Sequence, residues 1–522
     1  MSVKQTARTS EIDEKLAALM TNARAIKAVA AAVEGTIGPK GLDTMLVDGF
    51  NDVVITNAGV TILEKMDVTH PAARMLINIA KAQQAEIGDG TTTATVMAGA
   101  LVSEGVDQVV KGVPVARVIE GIKLGIKEAL KAIKEKAFNI KGLEDPVLTR
   151  IAYIAGREHK DIAELIVKAA KMIGEDKFQD EVFKLADTVI AEEGAENEVF
   201  SGVIIDKKRL NRQMPLNIED AKILIIDDAL KPEELEEEAL ATEMGFKRYM
   251  ELKNKFTTNL HKLVELGVNV VLVDRAVDNY AEEFLTDAGV LVCTRVGSKD
   301  LRIVSEHTGA RLIKRTGLNK DITELKEVIG KAKKVYEDVR LKKVRIIEGY
   351  DKPMATVLVG AATSEVVDER ERIAKDAASS VQAAIKGGYV AGGGSVELAV
   401  SRSVETLRET VKGMAAYGVD CVSRALRKPV FQIILNAGFN PLEKLEDITA
   451  AQIDQGNECL AIDCDSGDIV DMKEMGVFDP LLVKYHAIKA AGEIAEAILR
   501  IDTIIKMKSK KDSGEMNPNF NF

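Results

Sequence analysis

The chain of 522 residues is poor in the features that mark secreted and membrane proteins. Its cysteines are too few and too scattered for a disulfide framework, so we expect buried free thiols in a reducing compartment. They are Cys293, Cys421, Cys459 and Cys464. No uncharged apolar stretch approaches the roughly 18 residues that span a bilayer, and the N-terminus lacks a signal-peptide core. We therefore expect a cytoplasmic protein with no membrane contact.

Basic residues are also in deficit, with 71 Lys and Arg against 82 Asp and Glu, which gives a net charge of −11. A surplus of carboxylates is repelled by a phosphate backbone, so this balance disfavours general binding of nucleic acid. The chain has no HExxH, GxSxG or GxGxxG motif and no complete GxxxxGK[ST] loop. Protease, esterase and dinucleotide-dependent chemistry therefore lack a candidate site.

What the chain contains is a globular balance of 46% hydrophobic and 29% charged residues, with a length that suits three or four domains. Helical periodicity marks the two ends of the chain, and residues 44–48 and 52–56 form a hairpin candidate within the first end. Between them, β-branched runs alternate with helical windows, which predicts βαβ-type units. This pattern predicts an α/β module inserted between two halves of one helical domain.

The strongest local signal is GDGTTT at residues 88–93, which lies between two helical windows. The threonines then begin a helix, where free backbone N–H groups and the helix dipole favour a phosphate. Glycine lets a ligand approach the backbone, and Asp89 could hold Mg²⁺. A plain turn with a helix cap would explain the same residues equally well.

Two further glycine loops stand in helical surroundings: TIGPKG at residues 36–41 and AGGGS at residues 391–395. Pro39 ends the helix before the first loop because proline lacks a backbone donor. Three consecutive glycines in the second loop indicate close approach to a ligand or to a neighbouring backbone, although a tight turn is an alternative.

With these three loops in this order, the sequence resembles the chaperonins, the ATP-driven double-ring folding machines. It is similar to the archaeal-type members, in group II or bacterial group III. The blocks that carry the likeness are TIGPKGLDTMLVD, GDGTTTATVMAGALV, GVIIDKKRLNRQMP and AGGGSVELAV. The resemblance covers almost the whole chain.

The resemblance implies a multidomain α+β fold with three domains. Residues 1–140 and 387–522 would form a helical equatorial domain that binds ATP. Residues 141–201 and 354–386 would form a small intermediate domain, and residues 202–353 an α/β apical domain that binds clients. The expected activity is ATP hydrolysis with Mg²⁺, which drives a homo-oligomeric double ring to enclose unfolded polypeptides. The alternative is an assembled ring that acts as a passive holdase or scaffold.

The apical domain of group II members carries a built-in helical lid, and residues 228–258 have the position and length of that segment. No separate co-chaperonin cap is then expected. The lid segment and the residues after it share an apolar helical stripe, which would serve either a core or unfolded clients. The residues proposed for client and lid contacts are Phe246, Tyr249, Met250 and Phe256.

The resemblance also implies a nucleotide site. Residues of the first loop would line the phosphates, Asp89 would coordinate Mg²⁺ as a catalytic group, and the threonines would complete the phosphate cradle. Gly393 and Asp479 would face the nucleoside. The nucleotide-binding residues expected in full are Thr36, Ile37, Gly38, Pro39, Asn57, Gly59, Asp89, Gly90, Thr91, Thr92, Thr93, Gly393 and Asp479.

Two residues of the intermediate segments would act on the γ-phosphate. Asp376, in ERERIAKDAASSV, matches the family carboxylate that orients and activates the attacking water. Arg157, in YIAGREH, lies about where group II members carry a Lys that senses the γ-phosphate, and Lys160 is the alternative.

One position departs from the family pattern. The family has Thr-Asn-Asp-Gly after the second hairpin strand, whereas this chain has Ala58 in place of the Asp. Alanine can neither ligate a cation nor accept a proton. We therefore expect ATP to bind and hydrolysis to be slowed, because catalysis of phosphoryl transfer is mostly electrostatic organisation.

Overall fold

The computed structural model describes residues 3–51, 53–233 and 242–503. The contacts divide the chain into two units, one of residues 1–139 and 387–522 and the other of residues 140–386. We call them the helical unit and the inserted unit. The division of the chain into equatorial, intermediate and apical domains stays a prediction.

The helical unit is built from long helices around one apolar core. Its helices in the first half of the chain are α1 (Val3–Glu34), α2 (Gly59–Lys65), α3 (Pro71–Glu86), α4 (Thr91–Val110) and α5 (Val115–Glu135). In α5, the predicted apolar stripe is confirmed, because Ile119, Ile122, Ala129 and Ile133 are buried in this core. Residues three and four apart share one face of a helix, so the stripe meets the neighbouring helices.

The second half of the chain supplies the remaining helices of the helical unit. They are α13 (Ser395–Thr410), α14 (Ala415–Asn436), α15 (Pro441–Asp454), the short α16 (Met472–Met475) and α17 (Leu481–Leu499). Helix α12 (Ser364–Gly387) leads into this half from the inserted unit. Short strand pairs join the helices: β12 (Tyr389–Ala391) with β15 (Phe478–Pro480), and β13 (Leu460–Ile462) with β14 (Ile469–Asp471).

The predicted hairpin is present in the helical unit. Strands β1 (Thr44–Val47) and β2 (Val53–Thr56) pair antiparallel with Thr44 opposite Thr56. The hairpin is unusually apolar for an exposed element, because Met45, Val47 and Ile55 are each more than half exposed.

The inserted unit contains a nine-stranded mixed sheet with the order β3-β11-β4-β10-β9-β5-β6-β7, and β8 also pairs with β5. Its strands are β3 (Val189–Glu193), β4 (Glu198–Ile205), β5 (Asn217–Ile226), β6 (Val270–Val273), β7 (Leu291–Cys293), β8 (Leu312–Ile313), β9 (Gly330–Asp338), β10 (Lys343–Gly349) and β11 (Ala355–Ala361). The predicted βαβ-type units are confirmed for β5 to β8, which pair parallel.

Along the chain, the helices of the inserted unit precede, alternate with and follow the strands of this sheet. They are α6 (Pro146–Ala155), α7 (Lys160–Ile173), α8 (Glu243–Glu265), α9 (Asn279–Asp287), α10 (Ser298–Thr308), α11 (Ile322–Lys326) and α12. The short 3₁₀ helices are Glu175–Gln179, Leu185–Thr188 and Arg315–Asn319.

Helix α8 corrects one prediction about the lid. Phe256 is only 6% exposed and packs in the core of the inserted unit, which contradicts its expected contact with clients. Phe246 and Met250, nearer the start of α8, are exposed, and Tyr249 is half-buried. The apolar stripe of α8 is therefore buried in the core only toward its C-terminal end. Residues 234–241, which include most of the acidic run in the predicted lid, lie outside the described residues.

One described segment, Leu16–Glu34 in α1, is long and apolar enough to cross a membrane by length and composition alone. It also carries the charged residues Arg24 and Lys27. Its side chains Ile26 and Val33 are buried in the core of the helical unit. Packing against the other helices accounts for its apolar composition.

The four cysteines are free thiols, as expected. Cys293 and Cys421 are buried, and Cys459 and Cys464 are half-buried. Burial raises the pKa of the Cys293 thiol to about 12 and that of Cys421 also to about 12. These two thiols are therefore protonated and unreactive at neutral pH.

Candidate functional site

The loop at residues 88–93 ends in a helix, as the sequence predicts. Helix α4 begins at Thr91, and Gly90 before it has φ +78°. Gly90, the N-cap residue, has no side chain that could cap the helix. The backbone N–H groups of the first turn and the positive end of the helix dipole favour an anion at such a position. The Gly90 N–H donates a hydrogen bond of 2.5 Å to Oδ1 of Asp89. A helix N-terminus directly after a glycine loop is compatible with the phosphate interpretation, which stays a prediction.

The same loop is held by two elements that are distant in sequence. Gln83 donates from Nε2 to the Asp89 carbonyl oxygen at 2.9 Å. A Cβ atom on Gly90 would lie 2.6 Å from Cγ1 of Val483, in the first turn of α17. Since atoms cannot approach that closely, glycine is required at this position for packing as well as for its backbone angle.

The turn that carries Ala58 lies directly against this loop. A Cβ atom on Gly59 would lie 2.3 Å from Oγ1 of Thr92, so the starts of α2 and α4 are in contact. Ala58 is the N-cap residue of α2, is only 5% exposed, and provides no side-chain cap. Oδ1 of Asn57 is buried without a hydrogen-bond partner among the described residues. An unpaired buried acceptor beside a phosphate-type loop is what a site for a hydrated cation or a water molecule requires.

The first glycine loop is held by the end of α14. Asn436 donates from Nδ2 to the carbonyl oxygens of Glu34 and Ile37, each at 2.9 Å. A Cβ atom on Gly38, whose φ is +86°, would lie 3.2 Å from the side chain of Ile433. The backbone of residues 36–39 is therefore positioned by one polar and one apolar contact to α14.

The triple-glycine loop packs against α14 and against the strand that carries Asp479. A Cβ atom on Gly394 would lie 2.7 Å from Cβ of Val430 in α14. The Gly392 N–H donates to the Val477 carbonyl oxygen at 2.9 Å. A Cβ atom on Gly392 would lie 3.1 Å from Oδ2 of Asp479. Asp479 is therefore adjacent to the loop that contains Gly393.

These contacts form one continuous set within the helical unit. The first glycine loop contacts α14, and α14 contacts the triple-glycine loop, which in turn contacts β15. Helix α17, which follows β15, contacts the phosphate loop at Gly90, and the phosphate loop contacts the Ala58 turn at Gly59. We call residues 36–39, 57–59, 89–93, 392–395 and 479 the loop cluster. It brings together all the nucleotide-binding residues that the sequence predicts, and they come from five separate segments.

The other two predicted residues lie in the inserted unit. Asp376 in α12 forms an ion pair with Arg372, one turn earlier, at 2.6 Å. Arg372 also pairs with Glu369 at 2.6 Å, and Glu369 pairs with Arg157 at 3.3 Å. Arg372 and Glu369 thus connect the proposed catalytic carboxylate, Asp376, with the proposed γ-phosphate sensor, Arg157.

Arg157 and its alternative differ in environment. Arg157 follows α6 with φ +51°, and Glu158 follows it with φ +63°, two unfavourable backbone angles for residues with side chains. Lys160 begins α7, is well exposed, and pairs with Glu164 at 3.8 Å. Strained backbone of this kind persists where the surrounding structure requires it, which favours Arg157 as the residue with a specific role.

Comparison with known proteins agrees with these features. Residues 29–509 match the TCP-1/cpn60 chaperonin family. The chain belongs to this family. It is 37% identical over 511 residues to a thermosome subunit beta from Archaeoglobus fulgidus, covering 94% of this chain and 93% of the relative. It is 35% identical to a thermosome subunit from Methanopyrus kandleri, over 93% of this chain and 91% of the relative.

A solved structure shows the same chaperonin fold. The crystal structure of a group III chaperonin in the open state is 48% identical in sequence and superposes with a TM-score of 0.87. The match covers 95% of this chain and all of that chain. The multidomain α+β chaperonin fold expected from the resemblance is therefore confirmed.

Magnesium has few candidate ligands in this chaperonin. Among the described residues, no group of three or more His, Cys, Asp or Glu side chains is arranged to hold a metal ion. Mg²⁺ commonly uses one or two carboxylates, with water and substrate phosphates as its other ligands. Asp89 at the phosphate loop, with the unpaired Oδ1 of Asn57 nearby in the cluster, fits that pattern.

Sequence reasoning missed the side chains that support the loops. Gln83, Asn436 and Lys484 were given no role, yet each contacts a loop or a residue of the cluster. Glu397 was also given no role, although it pairs with Lys484. One signal was available: Glu397 and Lys484 stand among apolar residues in VEL and LVK. A charge within an apolar helical run indicates a buried, paired side chain.

Proposed function

We propose that this chaperonin binds and hydrolyses ATP with Mg²⁺, and that binding and hydrolysis drive closure and reopening of a double-ring chamber around unfolded polypeptides. The observation that supports the proposal is the loop cluster, in which five distant segments are linked by contacts and one of them contains the N-terminus of helix α4. Backbone N–H groups at such a terminus bind phosphate oxygens. We expect the protein to act in the cytoplasm.

The loop cluster accounts for ATP binding. The backbone of Thr36, Ile37, Gly38 and Pro39 lines the phosphates on one side, and Gly90 to Thr93 line them on the other. Asp89 would hold Mg²⁺, which when bound neutralises charge that develops on the phosphate oxygens. Gly393 and Asp479 face the nucleoside. Asn57 and Gly59 complete the phosphate side beside Thr92.

Asp376 supplies the chemistry of hydrolysis. As a carboxylate it accepts a hydrogen bond from the attacking water, orients it toward the γ-phosphate and takes its proton. Its partner Arg372 lies one turn earlier on the same helix and holds the carboxylate through an ion pair of 2.6 Å. Arg157 contacts the γ-phosphate, and in doing so exchanges its bond to Glu369 for one to the ligand. ATP thereby favours the state in which these groups contact it.

The absence of a carboxylate at Ala58 favours a second candidate function, that of a holdase or scaffold. A carboxylate here would stand next to Gly59, which contacts the phosphate loop at Thr92, and its absence removes a group that would organise water and metal. Positioning by the glycine loops does not depend on it. Binding should then survive better than turnover, and the ring could act as a holdase or scaffold that cycles slowly.

The exposed hairpin supports assembly into a homo-oligomeric ring. An isolated two-stranded hairpin is marginally stable in water, and this one exposes Leu42, Met45, Phe50 and Ile55. A contiguous apolar surface of this kind commonly lies against another subunit.

The start of α8 supports the built-in lid and client surface. Met244, Phe246 and Met250 are exposed there, and Tyr249 is half-buried. Exposed aromatic and methionine side chains offer adaptable apolar contact to unfolded chains. We therefore expect no separate co-chaperonin cap.

Single-turnover ATP hydrolysis by the assembled protein, with Ala58→Asp and Ala58→Asn, tests the proposal. Both substitutions can cap helix α2, because Asp and Asn are equally good N-cap residues, but only Asp adds a charge. We expect ATP affinity to stay within a few-fold in all three proteins and hydrolysis to rise at least about tenfold with Asp alone.

Equal hydrolysis by the three proteins would contradict a catalytic role for this position and leave the reaction to Asp376 and Asp89. A rise with both variants would attribute the effect to the helix cap. ATP-dependent refolding of a denatured client by the unaltered protein distinguishes a folding chamber from a holdase.

A further inference from the structure

A buried group of three charged side chains lies beside the nucleoside end of the loop cluster. Nζ of Lys484 is 2.9 Å from Oδ2 of Asp479 and 2.6 Å from Oε1 of Glu397. We call these three residues the buried triad. They come from α17, β15 and α13, so the triad joins three elements that flank the triple-glycine loop.

The triad is enclosed except at one member. Glu397 is fully buried and the Lys484 side chain is 10% exposed, whereas the Asp479 side chain is 25% exposed. A ligand can therefore reach the triad only through Asp479. Neither Glu397 nor Lys484 is placed to touch a nucleotide directly.

The electrostatics of the triad depend on Lys484. Burial alone would lower the pKa of this lysine, but the negative charges of Asp479 and Glu397 outweigh burial and raise its pKa well above the usual value. It is therefore charged at every physiological pH. The ammonium group of Lys484 also forms a 2.6 Å ion pair with Oε1 of Glu397, which is fully buried. The attraction there is one of charge on charge.

Lys484 determines which part of the Asp479 carboxylate a ligand can use. The lysine contacts Oδ2, the same oxygen that lies 3.1 Å from the position of a Gly392 Cβ. Oδ2 is thus directed toward the triple-glycine loop and the lysine, and Oδ1 is the oxygen outside that pair. A carboxylate whose orientation is fixed in advance binds a hydroxyl group with less loss of entropy than one that rotates.

The neighbouring residue extends this effect to the phosphate loop. Val483 lies against Gly90, and its carbonyl oxygen accepts a long 3.5 Å hydrogen bond from Gln83. Consecutive residues of the first turn of α17 therefore contact the phosphate side and the nucleoside side of the cluster. The ion pairs of Lys484 therefore help to fix the position of the phosphate side relative to the nucleoside side.

We propose that Lys484, anchored by Glu397, is a positioning residue that fixes the Asp479 carboxylate to accept hydrogen bonds from the ribose hydroxyls, and that it thereby sets the preference for ribonucleotides. The inference rests on the proposed function, in which Asp479 faces the nucleoside. It adds two residues that do not touch the ligand.

Equilibrium binding of ATP and of 2′,3′-dideoxy-ATP to the full-length assembled protein tests this inference, with calorimetry as the measurement. The dideoxy compound keeps the base and phosphates but lacks both hydroxyls. In the unaltered protein we expect ATP to bind at least about tenfold more tightly, because the analogue offers no hydroxyl donor to Oδ1 of Asp479.

Two variants remove the lysine. Lys484→Gln leaves Glu397 buried without a counter-charge and is expected to be poorly stable, so Glu397→Gln/Lys484→Gln is made as well to avoid that charge. In both we expect the preference for ATP to fall to about twofold or less, with dideoxy-ATP affinity changed little. Lys489→Gln, on an exposed position of the same helix, is the control and should keep the full preference.

The outcomes separate the inference from the proposed function. A double variant that weakens both nucleotides equally, with the preference intact, would show a purely structural role and overturn the inference. If Asp479→Asn abolishes the preference while the double variant retains it, Asp479 is placed correctly and Lys484 is not its positioning residue. If the unaltered protein shows no preference, the assignment of Asp479 itself fails, and the inference fails with it.

Discussion

The loop cluster of the helical unit and the charged residues of helix α12 in the inserted unit are held in different ways. The loops are positioned by close packing of backbone: Gly59 against Thr92, and Gly90 against Val483. Asp376 is positioned by side-chain ion pairs through Arg372 and Glu369, which are partly exposed. Close packing leaves a loop one arrangement, because interiors are dense and rotamers are few. Partly exposed ion pairs are made by side chains alone, so their members can exchange partners without movement of the backbone.

This difference suits the two tasks that we propose. A binding surface for phosphate gains affinity when its N–H groups are fixed before the ligand arrives. A group that engages the ligand in only one state must be able to change partners at small cost in free energy. The helical unit should therefore determine affinity, and α12 should determine the rate of hydrolysis.

Substitution of Asp376 should give the largest effect. Asp376→Asn keeps the shape of the side chain but removes the proton acceptor, so we expect hydrolysis about 100-fold slower with ATP affinity unchanged. Single-turnover hydrolysis and equilibrium binding measure the two quantities. Asp368→Asn, at an exposed position of the same helix, is the control and should leave both values unchanged. A similar loss of ATP affinity in Asp376→Asn would contradict the assignment of affinity to the helical unit and of hydrolysis rate to α12.

Substitution of Gly90 should give the opposite result. In Gly90→Ala the new Cβ would lie 2.6 Å from Val483, so the phosphate loop must shift and ATP affinity should fall about tenfold. Gly112→Ala is the matched control: its φ is also positive at +98°, but its Cβ meets nothing within 4 Å. Both variants bear a backbone strain of about 1–2 kcal/mol. Equal ATP affinity in the two would show that close packing at Gly90 does not matter for binding.

The smallest expected effect concerns acid stability of the inserted unit. His307 in α10 is buried, with Nε2 accepting from the Gly349 N–H at 2.8 Å and Nδ1 3.1 Å from the Lys352 carbonyl oxygen. This arrangement requires a neutral ring with its proton on Nδ1. Burial lowers the pKa of His307, although the hydrogen bond to Lys352 opposes that shift.

The direction of the pH effect follows from proton linkage. The unfolded chain binds a proton at His307 near the ordinary pKa of about 6.5, and the folded protein does so only at lower pH. Stability is therefore complete above that ordinary pKa and declines as the pH falls below it. We expect the thermal unfolding midpoint to fall by a few degrees between pH 7.5 and pH 5.5, and to fall less in His307→Gln. His261→Gln, at an exposed position, is the control. An identical pH dependence in all three proteins would exclude His307 as the cause.

Much of the local structure could be predicted from the sequence. The helix that begins at Thr91, the hairpin at residues 44–56 and the parallel pairing of β5 to β8 follow from short-range patterns. The antiparallel strands β4, β9 and β10 were not predicted. The partner of β4 is β10, which lies far along the chain, and β9 and β10 form a hairpin whose many charged residues obscure the strand pattern. Phe256 was misplaced because one helical stripe serves a core at one end and is exposed at the other.

The sequence by itself determined which segments form the glycine loops, because glycine, proline and helix-start residues act on the backbone within a few positions. It also determined that Ala58 departs from the family pattern. Only the tertiary structure decided how the segments are held, since Asn436 reaches residues about 400 positions earlier and Lys484 joins Asp479 with Glu397. Contacts between distant residues depend on packing of the whole helical unit, and no local pattern records which buried charges will meet.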